Sequence, residues 1–500
     1  MEAARRYRMV RSNDAIIQDL SIVEIQDIPE EDLSWSTVSL SEVIERDCRL
    51  EASVYNIEGK HAREVLKKNR WKNKTVSGEN GLATVYHRPR FKRIFVEKSD
   101  FPIYQPSQVN EIYPKPYLYI SEMTETDIES LRVTKNQILM TCSGTIGNCT
   151  LVSRTLNGCI LSHDLLRIKA KDGHDTGYIY TFLKTKTGRT LVNTNNYGAV
   201  VEHIEPAHLA NIPIPDAPIA IRKEIDCLII KSFELRDESN DLIDEAHKLM
   251  IPELKLPPIE KIRPIYYDKT AEFKNYTVKL SRLNNRLDSS YHIPIVDSIM
   301  GILKETAGEI TTLGDNRISK EIMLPGRFKR VYVIEGQGVV FFGGKQLHEL
   351  DPSNNKYLSL THHASRIKKE LTIKENFILV TRSGTIGRIT IVPKHWENWI
   401  ASEHIIRIVP LDKSIAGYVY CWLSSDYGYE LIKRFTYGSV VDEIDDTHMS
   451  QVQIPLLKNK TIQEKINTLV LTANQKRYEA YILEQKAIMS MNDAVIFAEA

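Results

Sequence analysis

Arg88, Arg90, Lys92 and Arg93 fall within six residues around Phe91, and Arg327, Lys329 and Arg330 surround Phe328. Cations crowded onto a short polar segment suit phosphate, and arginine can also reach base edges. One such cluster reads equally well as a solvated turn. Finding it twice in register, as Arg90-Phe-Lys-Arg93 and Arg327-Phe-Lys-Arg330 237 positions on, points to a duplicated surface for nucleic acid. Two more repeated motifs are candidates for contact. Ser143-Gly-Thr-Ile-Gly147 returns as Ser383-Gly-Thr-Ile-Gly387, offering Ser143, Thr145, Ser383 and Thr385, with Arg388 directly after the second copy. Tyr197-Gly198 with Val200-Val201 returns as Tyr437-Gly438 with Val440-Val441. Two glycines three apart after an apolar run let backbone approach either a neighbouring strand or a phosphate, and the spacing alone leaves both readings open.

Catalytic patterns are missing by comparison. There is no Asn-Pro-Pro-Tyr or Asp-Pro-Pro-Tyr for holding a target amine, and no glycine-rich strand-to-helix loop for S-adenosylmethionine. Gly338-Val-Val-Phe-Phe-Gly343-Gly-Lys345 approaches a phosphate loop, but its lysine is displaced and no Ser or Thr follows. Ser162-His163-Asp164 has the letters of a triad, yet neighbours along a strand point to opposite faces, and the second copy reads Ser402-Glu403-His404. His208 and His448 correspond and read as structural histidines. No His/Cys/Asp/Glu spacing suited to a metal recurs in both copies, so no metal site is expected.

The elements that must position these groups are themselves duplicated. Residues 136 to 217 recur 240 positions later, Thr37-Val38-x-Leu40 recurs at the same interval, and Arg49-Leu-Glu-Ala-Ser53 recurs as Arg286-Leu-Asp-Ser-Ser290. A period this long is a domain duplication and not a solenoid. Short runs such as Arg93–Val96, Gln137–Thr141, Thr150–Val152 and Leu165–Ile168 read as strands, while Gly177–Val192 and Gly417–Phe435 carry Tyr and Leu at helical spacing. Each body closes on a proline-marked exit, Ile212-Pro-Ile-Pro215 or Val452-Gln-Ile-Pro455. A long stripe follows each exit: Ile221, Ile225, Leu228, Ser232, Leu235, Ser239, Leu242, Ala246, Leu249, and then Ile462, Ile466, Leu469, Ala473, Lys476, Ala480, Leu483, Ala487. Alternating steps of four and three predict two helices of about 30 residues, roughly 45 Å long, paired as a coiled coil. The alternative is that each packs on its own body as an amphipathic helix. The fold class is therefore α+β, with two similar mixed α/β bodies and two long helices. The expected partition is an arm at 1–34, bodies at 35–217 and 275–457, helical regions at 218–255 and 458–500, and a linker at 256–274.

Of the 500 residues, 42% are apolar and 26% charged, an ordinary globular balance, and a net charge of +1 confines any nucleic-acid contact to local clusters. No apolar run is long enough to cross a membrane. The first thirty residues show no secretory pattern, and the six cysteines form no CxxC pair, which predicts a reduced, cytoplasmic setting.

Two diverged bodies carrying Arg-Phe-Lys-Arg, Ser-Gly-Thr-Ile-Gly and an Ile-Pro-x-Pro or Gln-Ile-Pro exit, each followed by a long helix, resemble the specificity subunit of type I restriction-modification systems. The resemblance runs from about Trp35 to the end. It implies a non-catalytic DNA-binding subunit with two target recognition domains, each reading half of a bipartite site in double-stranded DNA. It also implies an antiparallel, pseudo-twofold pair of helices that spaces the two readers and docks methyltransferase subunits, with restriction and translocase subunits joining for phage defence. S-adenosylmethionine, ATP and Mg would then belong to those partners. Neither exit keeps the fuller Pro-Pro-x-x-Glu-Gln signature of many members. The specificity subunit of a type IIB-like restriction-methylation enzyme shares the architecture; an enzyme of duplicated α/β domains and a DNA-free dimeric scaffold are the rival classes.

Overall fold

The computed structural model describes residues 37–498, apart from 45, 47, 199–200, 263–275, 353–354 and 439. The proposed arm at 1–34, most of the linker and Val200 therefore lie outside the described residues. The described chain forms two compact units. One gathers residues 37–240, 349–351 and 479–498, and the other residues 241–348 and 352–478.

The first unit contains a body of three small sheets. A four-stranded antiparallel sheet runs in the order Ala83–Tyr86, Leu165–Ala170, Gln137–Thr141, Cys149–Leu151. A second has the order Phe95–Val96, Leu118–Ile120, Pro102–Tyr104, Ile160–Leu161, its last pair parallel. Asn73–Thr75 and Pro213–Pro215 pair separately, and in a two-stranded sheet the exit prolines cost no interior ladder. Gln137–Thr141 is buried along its whole length, which is why it reads as a continuous apolar run and not an alternating one.

The body of the second unit repeats this plan strand for strand. Its sheets are Ser319–Met323, Ile405–Pro410, Ile378–Thr381, Ile389–Ile391; then Tyr332–Val333, Lys356–Ser359, Gly338–Phe342, Ile400–Ala401, again closing on a parallel pair; then Glu309–Thr312 with Gln453–Leu456. Identical strand order makes the duplication one of fold as well as of letters. Each helical segment read from Tyr and Leu spacing is two helices: Thr176–Lys184 with Lys186–Asn193, and Lys413–Leu423 with Asp426–Lys433. The break follows from capping, because the Thr185 and Ser425 hydroxyls accept the N–H of Gly188 and Gly428.

Two long helices follow the exits, Ile219–Glu253 with 35 residues and Lys460–Ser490 with 31. Each is clamped to its own body. The Asp226 carboxylate accepts from the Gly177 N–H at 2.6 Å, and the Asn467 side-chain amide oxygen from the Gly417 N–H at 2.8 Å. A Cβ on Gly177 would lie 2.7 Å from the Asp226 Cα, and one on Gly417 2.4 Å from the Asn467 carbonyl, so the crossing admits only glycine. Tyr178 and Tyr418 add hydroxyl bonds to the exit carbonyls of Pro215 and Pro455.

Each unit also contains part of the other long helix. In the first, Ser232 donates to the Ala480 carbonyl at 2.7 Å; in the second, Lys465 pairs with Glu245 at 3.2 Å. Within the first unit the earlier Ile225 and Ile229 cluster with the later Ala487 and Met491, and the later Leu235 with the earlier Ala480, so the two helical segments there run antiparallel. Ile225, Ile229 and Phe233 share a core with Ala487 and Met491 and with body residues such as Tyr178 and Phe182; Ile243, Ala246 and Met250 do so with Ile466, Val470 and Ala473. The buried face is wider than the stripe of the sequence. It adds Ile229, Phe233, Ile243, Met250 and Val470, because these helices pack on a body and a helix at once and not along one seam. Ile221, Leu228, Leu242, Ile462, Leu469 and Leu483 are only partly buried, whereas Ile225, Leu235 and Ile466 are fully so.

In the first unit the helix contact is polar at its centre. Glu484, almost wholly buried, accepts from Tyr180 at 2.6 Å and pairs with Arg236 and, at 3.6 Å, with Lys184; Asp351 lies 4.0 Å from Lys184. Helical side chains lean toward their own N-terminus, so in an antiparallel pair Arg236 and Glu484 converge beside the Ser232–Ala480 contact. Burial by itself would raise the Glu484 carboxyl, but Arg236 and Lys184 outweigh it and hold the group at about 2. Burial does raise Asp351. Glu484→Gln, which strands two buried cations, is expected to lower stability in urea unfolding by about 3–5 kcal/mol at neutral pH. A depressed carboxyl contributes above its unfolded value of 4.5, and that contribution vanishes as pH falls toward 2. The gap between wild type and variant should therefore close over that acidic window; a gap independent of pH would refute the assignment.

Candidate nucleic-acid interface

In the second body the three repeated motifs meet at one carboxylate. Arg327 reaches Glu443 at 3.3 Å, and Arg382, just before the Ser-Gly-Thr-Ile-Gly loop, pairs with the other oxygen of the same group. The Glu443 backbone exchanges two hydrogen bonds with Tyr437, at 2.7 and 3.0 Å, and forms a bridge to Ser383. In the first body His203 exchanges the same pair of bonds with Tyr197 and bridges Ser143. Cys142 and Arg90 occupy the places of Arg382 and Arg327 there. Burial pushes the Cys142 thiol up to about 11, and Arg90 lies near enough to pull against that shift and against the rise at Tyr197 that its bond to Glu205 causes.

The Ser-Gly-Thr-Ile-Gly loops are the turns joining Gln137–Thr141 to Cys149–Leu151 and Ile378–Thr381 to Ile389–Ile391. The two glycines divide the roles that the spacing left open. Gly147 and Gly387 pack, since a Cβ there would come within 3.2 Å of Val192 or 3.0 Å of Tyr429, and both have positive φ. Gly144 and Gly384, φ +74 and +72, have open space and donate to the Glu202 and Asp442 carbonyls. Ile146 and Ile386 anchor the turns from below, leaving Thr145 and Thr385 exposed. Val201, Val440 and Val441 are exposed beside them, and Tyr437 is partly so. Ser143, Ser383, Arg388 and Tyr197 are partly covered.

The basic clusters separate into outward and inward members. Arg90, Lys92, Arg327 and Lys329 are exposed. Arg330 instead turns in, pairing with Glu403 and lying 5.2 Å from the Phe341 ring centre; burial opposes the Glu403 charge, but Arg330 wins and its carboxyl is lowered. Arg93 bonds Gln105 and Ser162 at 3.5 and 3.4 Å, and Arg88 lies over the Tyr86 ring. Phe91 and Phe328 are half-buried, edge-on to His163 and His363, and serve as feet for the clusters. Glu403, Arg382 and Glu443 were missed by the sequence reading. Their signal was a paired change between copies, Arg382 with Glu443 where the first copy has Cys142 with His203.

The triad-like letters do not assemble, since Ser162 bonds Asp164 and not His163. Gly338–Phe342 runs into a single turn, Gly344–Gln346, without the helix that a phosphate loop needs. His208 accepts the Glu205 N–H and caps a turn. Among the described residues no group of His, Cys, Asp and Glu could hold a metal ion, and no helix is long and apolar enough to cross a membrane.

Each α+β body thus carries an exposed basic segment and an exposed loop hydroxyl, Arg90 and Lys92 with Thr145 in one and Arg327 and Lys329 with Thr385 in the other. The family model for the type I restriction modification DNA specificity domain matches residues 72–240 and 335–476, more than half of the chain, and the chain belongs to that family. Its role is that of a DNA sequence-recognition subunit. Solved structures similar to it include the S subunit of a type I restriction-modification system from M. genitalium, at 14% identity over 86% of this chain and 96% of that one, with a TM-score of 0.32. The HsdS subunit from Thermoanaerobacter tengcongensis is 13% identical over 85% and 100%, with a TM-score of 0.25. A chain from work on assembly and conformational transition of the type I system is 13% identical over 84% and 96%, also at 0.25. No curated protein sequence matches.

The inward and outward cations should behave oppositely on substitution. Arg330→Ala leaves the buried Glu403 carboxylate uncompensated and should cost about 2 kcal/mol in chemical unfolding. Lys329→Ala, at an exposed position, should stay within about 0.5 kcal/mol of wild type.

Proposed function

We propose that this chain reads a bipartite DNA site, one half with the body at 35–217 and the other with the body at 275–457. The helical regions at 218–255 and 458–500 set the spacing and dock methyltransferase subunits; restriction subunits complete the assembly. The chain itself is non-catalytic. S-adenosylmethionine, ATP and Mg are held by the partners, and adenine methylation is their chemistry. The setting is cytoplasmic. The observation that carries this reading is the convergence of the Arg-Phe-Lys-Arg, Ser-Gly-Thr-Ile-Gly and Tyr-Gly motifs in the second body, with Arg327, Ser383 and Tyr437 around Glu443, and the matching approach of Ser143 and Tyr197 to His203 in the first. Cations there take phosphates, exposed Thr145 and Thr385 offer hydroxyls, and the bases are told apart by the side chains that differ between copies. Near-neutral net charge suits a subunit that shares phosphate contact with its partners.

Methylated bases mapped in the host genome with and without this gene should reveal one split motif that depends on it. The double variant Arg90→Ala, Lys92→Ala, assembled with the methyltransferase, should weaken binding and shallow the salt slope by about two, one per lost phosphate contact. Methylation by the purified chain alone would overturn the proposal.

A further inference from the structure

We infer that Glu443 is a positioning residue that holds Arg327 as a guanine-reading arm of the second body, and that the first body has no equivalent. The inference rests on the DNA-recognition reading above and names a specificity determinant within it. Arg327 is 70% exposed and tied at one nitrogen to one oxygen of Glu443. The other oxygen is taken by Arg382, which is 12% exposed. The carboxylate is thus gripped from behind by a mostly covered guanidinium and grips an outward one in front.

The backbone under it is fixed as well. Glu443 exchanges both main-chain bonds with Tyr437, and Ile444 donates to the Arg382 carbonyl at 2.9 Å. A long arginine held this way has already lost much of the rotamer freedom that binding would otherwise remove. Its remaining donors form the planar fork that matches O6 and N7 of guanine, the commonest specific arginine contact in the major groove. Gly384, Thr385 and Val440 stand exposed on the adjoining loops, so the arm sits among groups able to meet DNA. The first body keeps the framework and changes the tether. Tyr197 and His203 exchange the same backbone bonds, but the side chains at the three positions are Arg90, Cys142 and His203, with no carboxylate among them. The bland alternative is an ordinary surface ion pair, which would contribute little and affect no base preference.

The test uses the full-length chain assembled with its methyltransferase, mapping methylated sites genome-wide for wild type, Glu443→Gln and Arg327→Lys. Both variants should lose discrimination at one G·C position of one half-site by roughly tenfold to a hundredfold, leaving the other half-site unchanged. Arg327 is exposed, so Arg327→Lys carries the test even if Glu443→Gln folds poorly. Unaltered motifs in Arg327→Lys, or relaxation spread over both half-sites, would overturn the inference. Absence of any split motif in the wild-type assembly would instead overturn the functional reading beneath it.

Discussion

Everything that the two bodies present depends on how each is fastened to its long helix, and that fastening is a backbone amide pointed at a helix side chain. Gly177 donates to Asp226 and Gly417 to Asn467, at crossings so close that any Cβ would collide with the helix. The acceptors lie on the long helices, and the donors lie in the body helices Thr176–Lys184 and Lys413–Leu423. Asp in one copy and Asn in the other do the same work, because what is needed is an oxygen and not a charge. The exit carbonyls of Pro215 and Pro455, bonded to Tyr178 and Tyr418, add a second tie between exit and body helix within each unit.

Both units bury apolar residues of the two long helices together, and the first adds a buried ion cluster in which Glu484 gathers Arg236, Lys184 and Tyr180 out of water, while Ile243 at the matching place in the second lies in an apolar core. A buried ion cluster is a costly way to gain stability, since desolvation consumes much of the attraction. It does discriminate, because an apolar partner opposite Arg236 and Lys184 would leave two cations stranded. Symmetry of fold is therefore combined with asymmetry of contact chemistry.

The same division holds at the surface proposed to meet DNA. Strands, the turn glycines and the main-chain bonds between Tyr197 and His203 or Tyr437 and Glu443 are common to both bodies. Arg382 against Cys142, Glu443 against His203 and Glu403 against His163 are not. Backbone bonding tolerates any side chain that leaves the ladder intact, so recognition can diverge while the frame stays. Interior arginines mark the limit of that freedom. Arg167 and Arg407 are wholly buried and spend their donors on main-chain carbonyls, including those of 130–132 in one body and 371 in the other.

By itself the sequence determined that the fold is doubled, which segments are strands and that two long helices follow. These are written in local periodicity and in a repeat offset, both readable without coordinates. It also marked Arg90 and Arg327 as members of a repeated basic cluster. Only the tertiary structure decided that Arg330 and Arg93 turn inward while Lys329 and Lys92 face out, that Gly147 packs while Gly144 stays open, and that Arg382 and Glu443, 61 positions apart, share an ion pair. Those outcomes depend on which loops a sheet places side by side, and neither pattern nor propensity specifies a contact between residues so distant along the chain.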